Sequence, residues 1–72
     1  MTVPLQRIGE ALYGEQWKSS LARAVGVNHR TMQRWAAGKN PIPDHAVERL
    51  HALLTARHAE LAALLAEWRK AP

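Results

Sequence analysis

The sequence predicts an all-α fold of four to five helices, the last being a long, Leu-rich C-terminal segment. Ala and Leu dominate, Val, Ile and Thr are sparse, and no segment alternates apolar and polar residues with period two. Glycines and prolines separate stretches whose apolar residues recur every three or four positions. The chain of 72 residues is predicted to form one domain, 1–72, with a small core.

Proline and glycine bound the first two predicted helices. The first is expected from Thr2 or Pro4 to Leu12, since proline is tolerated in a first helical turn. The second is expected over 16–25. Gly26 ends it, because glycine adopts the left-handed conformation at little cost.

A third helix is predicted over 29–37. Asn28 precedes it as a good N-cap, and Gly38 follows it as a stop. The next residues, 39–43, form a loop, because two prolines within three residues exclude a regular helix.

The last segment, 44–70, contains neither glycine nor proline, and Asp44 is predicted to cap it. Its apolar residues recur at helical spacing, at Val47, Leu50, Leu54, Leu61, Leu64 and Trp68. Arg57 interrupts this series. The segment is either one helix of about 40 Å or two helices separated near Thr55–His58. We predict a break or bend at that point.

The excess positive charge lies in one part of the chain. The net charge is +4, and the isoelectric point is about 10.4. Residues 16–43 contain no Asp or Glu and five basic side chains, Lys18, Arg23, Arg30, Arg34 and Lys39. Such a cluster favours a polyanionic partner.

The second and third helices have the pattern of a helix-turn-helix. Ala22 lies four residues before Gly26, and this small side chain lets the two helices approach closely. The turn Gly26-Val27-Asn28 is very short, and Met32 and Trp35 are spaced to face the core. The second helix of this motif enters the DNA major groove.

Four stretches carry a resemblance to a known family: AxxxG (22–26), VNxxT (27–31), MxxW (32–35) and AAGK (36–39). With them the chain resembles the lambda-repressor-like helix-turn-helix family. The resemblance covers about residues 4–56, with the motif at 17–38. It implies a sequence-specific regulator of transcription that binds double-stranded DNA. The chain departs from the family in two ways. Trp17-Lys18 stands where many members have Gln, and the last segment is longer.

The exposed side of the third helix carries the candidate base-reading residues. With Met32 and Trp35 inward, helical periodicity places residues 29, 30, 33, 34 and 37 outward. The resemblance implies base contacts from four of them, His29, Arg30, Gln33 and Arg34, and the Asn28 cap at the tip of the helix is added to this set. Arg binds guanine O6 and N7, and Gln binds adenine N6 and N7. Any solvated helix carries such residues, but the motif and the absence of acids favour DNA reading.

Phosphate contacts are expected on both sides of the third helix, from Trp17, Lys18, Lys39 and Asn40. Trp17 and Lys18 begin the second helix, where free N–H groups attract a phosphate. The indole of Trp17 is at least as well explained by packing in the core or at its rim.

The final residues carry an apolar stripe, Leu61, Leu64, Leu65 and Trp68, that a domain of this size has little means to bury. A homodimer is the expected result, and it would present two recognition helices to half-sites about 34 Å apart in a palindromic operator. The alternative is that the segment folds back onto its own domain.

Other functions have little support in the sequence. There is no Cys, no ligand set of zinc type, no catalytic grouping and no phosphate-binding glycine loop, so we expect no enzyme, no cofactor and no metal. No apolar run of membrane-spanning length or signal-peptide type is present, which predicts a cytoplasmic protein with no membrane partner. No small-molecule ligand is expected.

Two alternatives to a dimeric, possibly autoregulatory, repressor remain. One is an antitoxin-like protein-interaction module that uses the Leu/Trp stripe. The other is nonspecific, architectural DNA binding.

Overall fold

A computed structural model describes residues 3–70, with side chains described up to residue 69. It contains four helices, α1 (Leu5–Tyr13), α2 (Trp17–Val25), α3 (His29–Ala36) and α4 (Asp44–Lys70). Residues 3–70 include no strand, which confirms the all-α prediction. The bounds of the first three helices lie close to those predicted, although the alternative start at Thr2 falls outside the described residues.

The core forms where α1, α2, α3 and the first half of α4 meet. Leu21 and Met32 are fully buried, and Leu50 from α4 is 1% exposed. Ala46 is also fully buried, although it lies outside the predicted apolar series of α4. The remaining buried apolar residues are Leu5, Ile8, Leu12, Trp17, Ala22 and Trp35.

A close contact in this core joins α1 to α2 at Gly9. A Cβ built on Gly9 would overlap the ring of Trp17, lying within 2.7 Å of its Cγ and nearer still to two other ring carbons. The indole therefore packs directly on the bare backbone of α1, and it is only 4% exposed.

The prediction of a break in α4 near Thr55–His58 is wrong, because the helix runs without interruption to Lys70. The Thr55 hydroxyl donates to the carbonyl of His51, 2.9 Å away, so this β-branched residue is accommodated within the helix. Arg57 does not face an apolar seam. Its guanidinium donates to the Leu12 carbonyl, 3.4 Å away, in the last turn of α1.

A second arginine of α4 has the same role. The Nε of Arg49 donates to the Ala24 carbonyl, 3.2 Å away, in the last turn of α2. A cation at the carbonyl end of a helix satisfies a group that has no partner within the helix and also suits the helix dipole. Arg49 and Arg57 thus hold α4 against the ends of two other helices.

The second half of α4 extends away from the core. Every residue from 58 to 69 is exposed, and the structure measures 51 × 23 × 19 Å along its principal axes. The stripe residues keep large exposed fractions, 51% for Leu61, 53% for Leu64, 54% for Leu65 and 77% for Trp68. The alternative in which this segment folds back onto its own domain is therefore wrong.

The Gly9 contact yields a prediction about stability. Alanine usually stabilises a helix interior relative to glycine, by about 0.5–1 kcal/mol. Gly9→Ala should instead destabilise the protein by about 1–3 kcal/mol, since its methyl group overlaps the Trp17 ring. Urea unfolding followed by circular dichroism measures the change. Gln6→Ala, at an exposed position of the same helix, is the control, and equal stability of the two variants would refute the contact.

Candidate nucleic-acid interface

The turn between α2 and α3 is fixed by backbone hydrogen bonds. Gly26 adopts the left-handed conformation, with φ +88°, and the N–H groups of Gly26 and Val27 both donate to the Ala22 carbonyl at 2.9 Å. Val27 is half-buried and packs against the core. The chain can therefore reverse within three residues and start α3 beside α2.

Asn28 caps α3 as predicted. Its Oδ1 accepts a hydrogen bond of 2.8 Å from the backbone N–H of Thr31. That oxygen is engaged within the protein, so a base contact from Asn28 would come from its amide nitrogen, which can donate.

The inner and outer sides of α3 differ sharply in exposure. Met32 is fully buried and Trp35 is 7% exposed, which confirms the prediction that both face inward. All four predicted base-reading residues of the helix itself are exposed: His29, Arg30, Gln33 and Arg34. The helix thus presents two arginines, one glutamine and one histidine to solvent.

The end of α3 brings Lys39 to this surface. Gly38 has φ +74°, and the Lys39 N–H donates back to the Arg34 carbonyl at 3.0 Å. This six-residue closure is a Schellman motif. As a result Lys39 lines a shallow cleft with Arg30, Gln33 and Arg34, so one predicted phosphate contact adjoins three predicted base contacts.

The beginning of α2 forms the other edge of the surface. Lys18 lines one cleft with Gln33 and another with His29, so it lies beside the outer side of α3. Gln16 precedes the helix without a side-chain capping bond, and the first turn holds no acid. The free N–H groups and the helix dipole there favour an anion.

Trp17 belongs to the core, which is one of the two roles that the sequence allowed. Its ring packs on Gly9, and the Nζ of Lys18 lies 5.9 Å from the ring centroid. A cation at this distance is attracted to the negative face of the ring. Trp17 therefore supports Lys18 in addition to packing against α1.

Asn40 lies apart from the other predicted contacts. It lines a different, more apolar cleft with Trp35, Ile42 and Val47. It shares none of the clefts that contain Lys18 or the outer residues of α3.

Four polar residues of these clefts were not predicted from the sequence, Gln6, Glu15, Gln16 and Ser19. Gln6 and Glu15 line the cleft with Lys18 and Gln33, and Glu15, Gln16 and Ser19 line the one with His29. The packing of α1 against α2 and α3 brings Gln6 here, and its sequence position gives no sign of this. Glu15 places one carboxylate at the edge of an otherwise basic surface.

The cations of this surface have no acidic partner among residues 3–69. The ion pair found in that part of the chain joins Arg57 to Glu60 at 3.9 Å, on α4. Lys18, Arg30, Arg34 and Lys39 are therefore available to a polyanion.

Comparison with protein-family models, curated proteins and solved structures finds no match to this chain. The resemblance to lambda-repressor-like proteins thus stays a prediction from the motif residues. Within residues 3–70, no helix is both long and apolar enough to cross a membrane. The same residues contain no group of three or more potential metal ligands.

The Asn28 cap predicts a local effect on stability. Asn28→Ala should destabilise the protein by about 1 kcal/mol, because the Thr31 N–H loses its acceptor. Asn40→Ala, in an exposed loop position, is the matched control and should change stability little. Thermal unfolding of both variants measures the difference, and equal melting temperatures would contradict the role of the cap.

Proposed function

We propose that the protein is a sequence-specific regulator of transcription that binds double-stranded DNA in the cytoplasm. The observation that carries the proposal is the placement of two arginines and a glutamine on the solvent side of a short, capped helix, with a lysine beside each end of that surface. A helix presented in this way fits the major groove, which is about 12 Å wide.

Arg30 and Arg34 are the principal reading residues in this proposal. They lie four positions apart on α3, about one helical turn, so they can address neighbouring base pairs. Each guanidinium can bind guanine O6 and N7 with two hydrogen bonds, and Gln33 between them can bind adenine. His29, at the beginning of the helix, lies nearest the groove floor.

Lys18 and Lys39 hold the DNA backbone on opposite sides of α3. The first turn of α2 adds N–H groups beside Lys18. Contacts of this kind fix the orientation of the protein but do not read the sequence. With about five phosphates neutralised in total, log Kd should change with log salt with a slope of about 4 to 5.

Glu15 argues against purely architectural DNA binding. Such binding depends on phosphate contacts alone, and a carboxylate in the two clefts beside Lys18 weakens them. The repulsion costs a specific complex the same free energy, but it is a smaller share of a total to which base contacts also contribute. The arrangement therefore favours recognition of a particular sequence, with repression by occupation of a promoter as the simplest outcome.

The first functional prediction concerns sequence preference. Arg30→Ala and Arg34→Ala should each reduce the preference for the selected site by about tenfold, since one two-hydrogen-bond contact discriminates bases by about 1–3 kcal/mol. Weak, salt-sensitive binding to random DNA should remain. Selection of sites from a random duplex library, followed by fluorescence anisotropy, measures both quantities.

Arg69→Ala is the matched control for these variants, because it removes the same charge near the far end of α4. It should leave the selected sequence unchanged. An unaltered site preference in both the Arg30 and Arg34 variants would overturn the assignment of α3 as the reading helix.

The second functional prediction separates phosphate contacts from base contacts. Lys18→Ala and Lys39→Ala should weaken binding to all sequences alike and lower the salt slope by about 1 each. Titrations at several NaCl concentrations measure the slope. A lysine whose removal leaves the slope unchanged is not in contact with a phosphate.

A further inference from the structure

The exposed half of α4 carries an apolar surface that is large for a protein of this size. Leu61, Leu64, Leu65 and Trp68 are each more than half exposed, and together they expose roughly 450 Å² if a full side chain covers about 200 Å². Single exposed apolar residues are common, but a contiguous patch of this size marks an interaction surface.

The patch continues the side of α4 that packs in the core. Leu54 and Leu61 are seven residues apart, and Leu50 and Leu61 are eleven apart, so all three lie on one side of a helix with 3.6 residues per turn. Leu50 is buried and Leu54 half-buried against α1 and α2. A partner that covers Leu61 therefore lies on the same side of α4 as the domain itself.

We propose that a second copy of this chain covers the patch, with the two exposed halves of α4 packed antiparallel. Two copies contribute roughly 900 Å² from these four side chains alone. This total lies just below the threshold of about 1,000 Å² that a specific interface should clear, which agrees with a weak dimer. A twofold pair also requires only that the patch be complementary to itself.

The antiparallel direction follows from the position of the domain. In a parallel pair, the first half of the second α4 would run through the space that α1 and α2 of the first copy occupy beside Leu50 and Leu54. In an antiparallel pair, the second helix ends where the first domain begins. The overlap then covers residues 58–70, about 20 Å of helix, with its centre near Leu64.

Charges along the patch give this arrangement a specific signature. Glu60 and Glu67 are seven residues apart and border one edge of the stripe, whereas His58 and Arg69 border the other. In an antiparallel twofold pair each edge meets the same edge of the second copy. Glu60 of one copy therefore faces Glu67 of the other, and the pair should be weak and should tighten as salt screens the repulsion.

The apolar contact is tested by sedimentation equilibrium of the full chain without DNA, over a series of protein concentrations. Leu61→Asp should raise the dimer Kd at least tenfold. Ala63→Asp places the same charge about 200° around the helix and should leave the Kd near that of the wild type. A wild-type chain that is monomeric throughout, or equal effects of the two variants, would overturn the proposal.

The orientation is tested by charge exchange. Glu67→Lys or Glu60→Lys alone should tighten the dimer about tenfold, because two repulsive pairs become attractive. The double variant restores two repulsive pairs, so its Kd should return towards that of the wild type. Additive effects of the two changes would show that Glu60 and Glu67 do not face each other, and the antiparallel arrangement would be wrong.

These measurements do not depend on the proposed function. If sedimentation shows no dimer, the site preference of the Arg30 and Arg34 variants still tests DNA reading by α3. Loss of DNA binding would likewise leave the sedimentation results unaffected, because no DNA is present in that experiment.

Discussion

The contact between the Trp17 indole and the backbone of Gly9 determines where α2 lies on α1. Trp17 is the first residue of α2, so this contact also fixes the N-terminal end of that helix and the position of Lys18 above it. A side chain at residue 9 would push the ring away, and the N–H groups at the start of α2 would move with it. The geometry of one edge of the candidate DNA-binding surface therefore depends on the absence of a single methyl group.

The α4 helix has two different environments along one continuous stripe. In its first half, Leu50 and Leu54 complete the core, and Arg57 binds the carbonyl end of α1. Beyond Arg57 the stripe keeps its apolar character but has no domain beneath it. In the proposed dimer, the two carboxylates beside the exposed stripe limit how strongly copies associate, so the assembly should respond to protein concentration.

Most of the fold could be predicted from helical periodicity and capping residues, because these depend on interactions between residues only a few positions apart. The inward positions of Met32 and Trp35 and the cap at Asn28 are of this kind. The prediction of a break near Thr55–His58 was wrong because the Leu12 carbonyl that accepts from Arg57 lies 45 positions away in sequence. The placement of Glu15 beside Gln33 depends similarly on packing between helices, so no local pattern reveals it.

Four of the basic side chains form two groups that differ in their surroundings. For the place where a polyanion binds, this difference matters more than the net charge of +4. Arg49 and Arg57 donate to helix carbonyls and contribute to the fold. Lys18 and Lys39 lie beside the solvent side of α3 with no acidic partner in the described chain. A polyanion that approaches the outer side of α3 meets the second group first, because Lys18 and Lys39 are exposed and form no ion pair within residues 3–69. In the proposed DNA complex, this attraction would turn the outer side of α3 towards the bases before any base contact forms, so the same lysines would guide association as well as recognition.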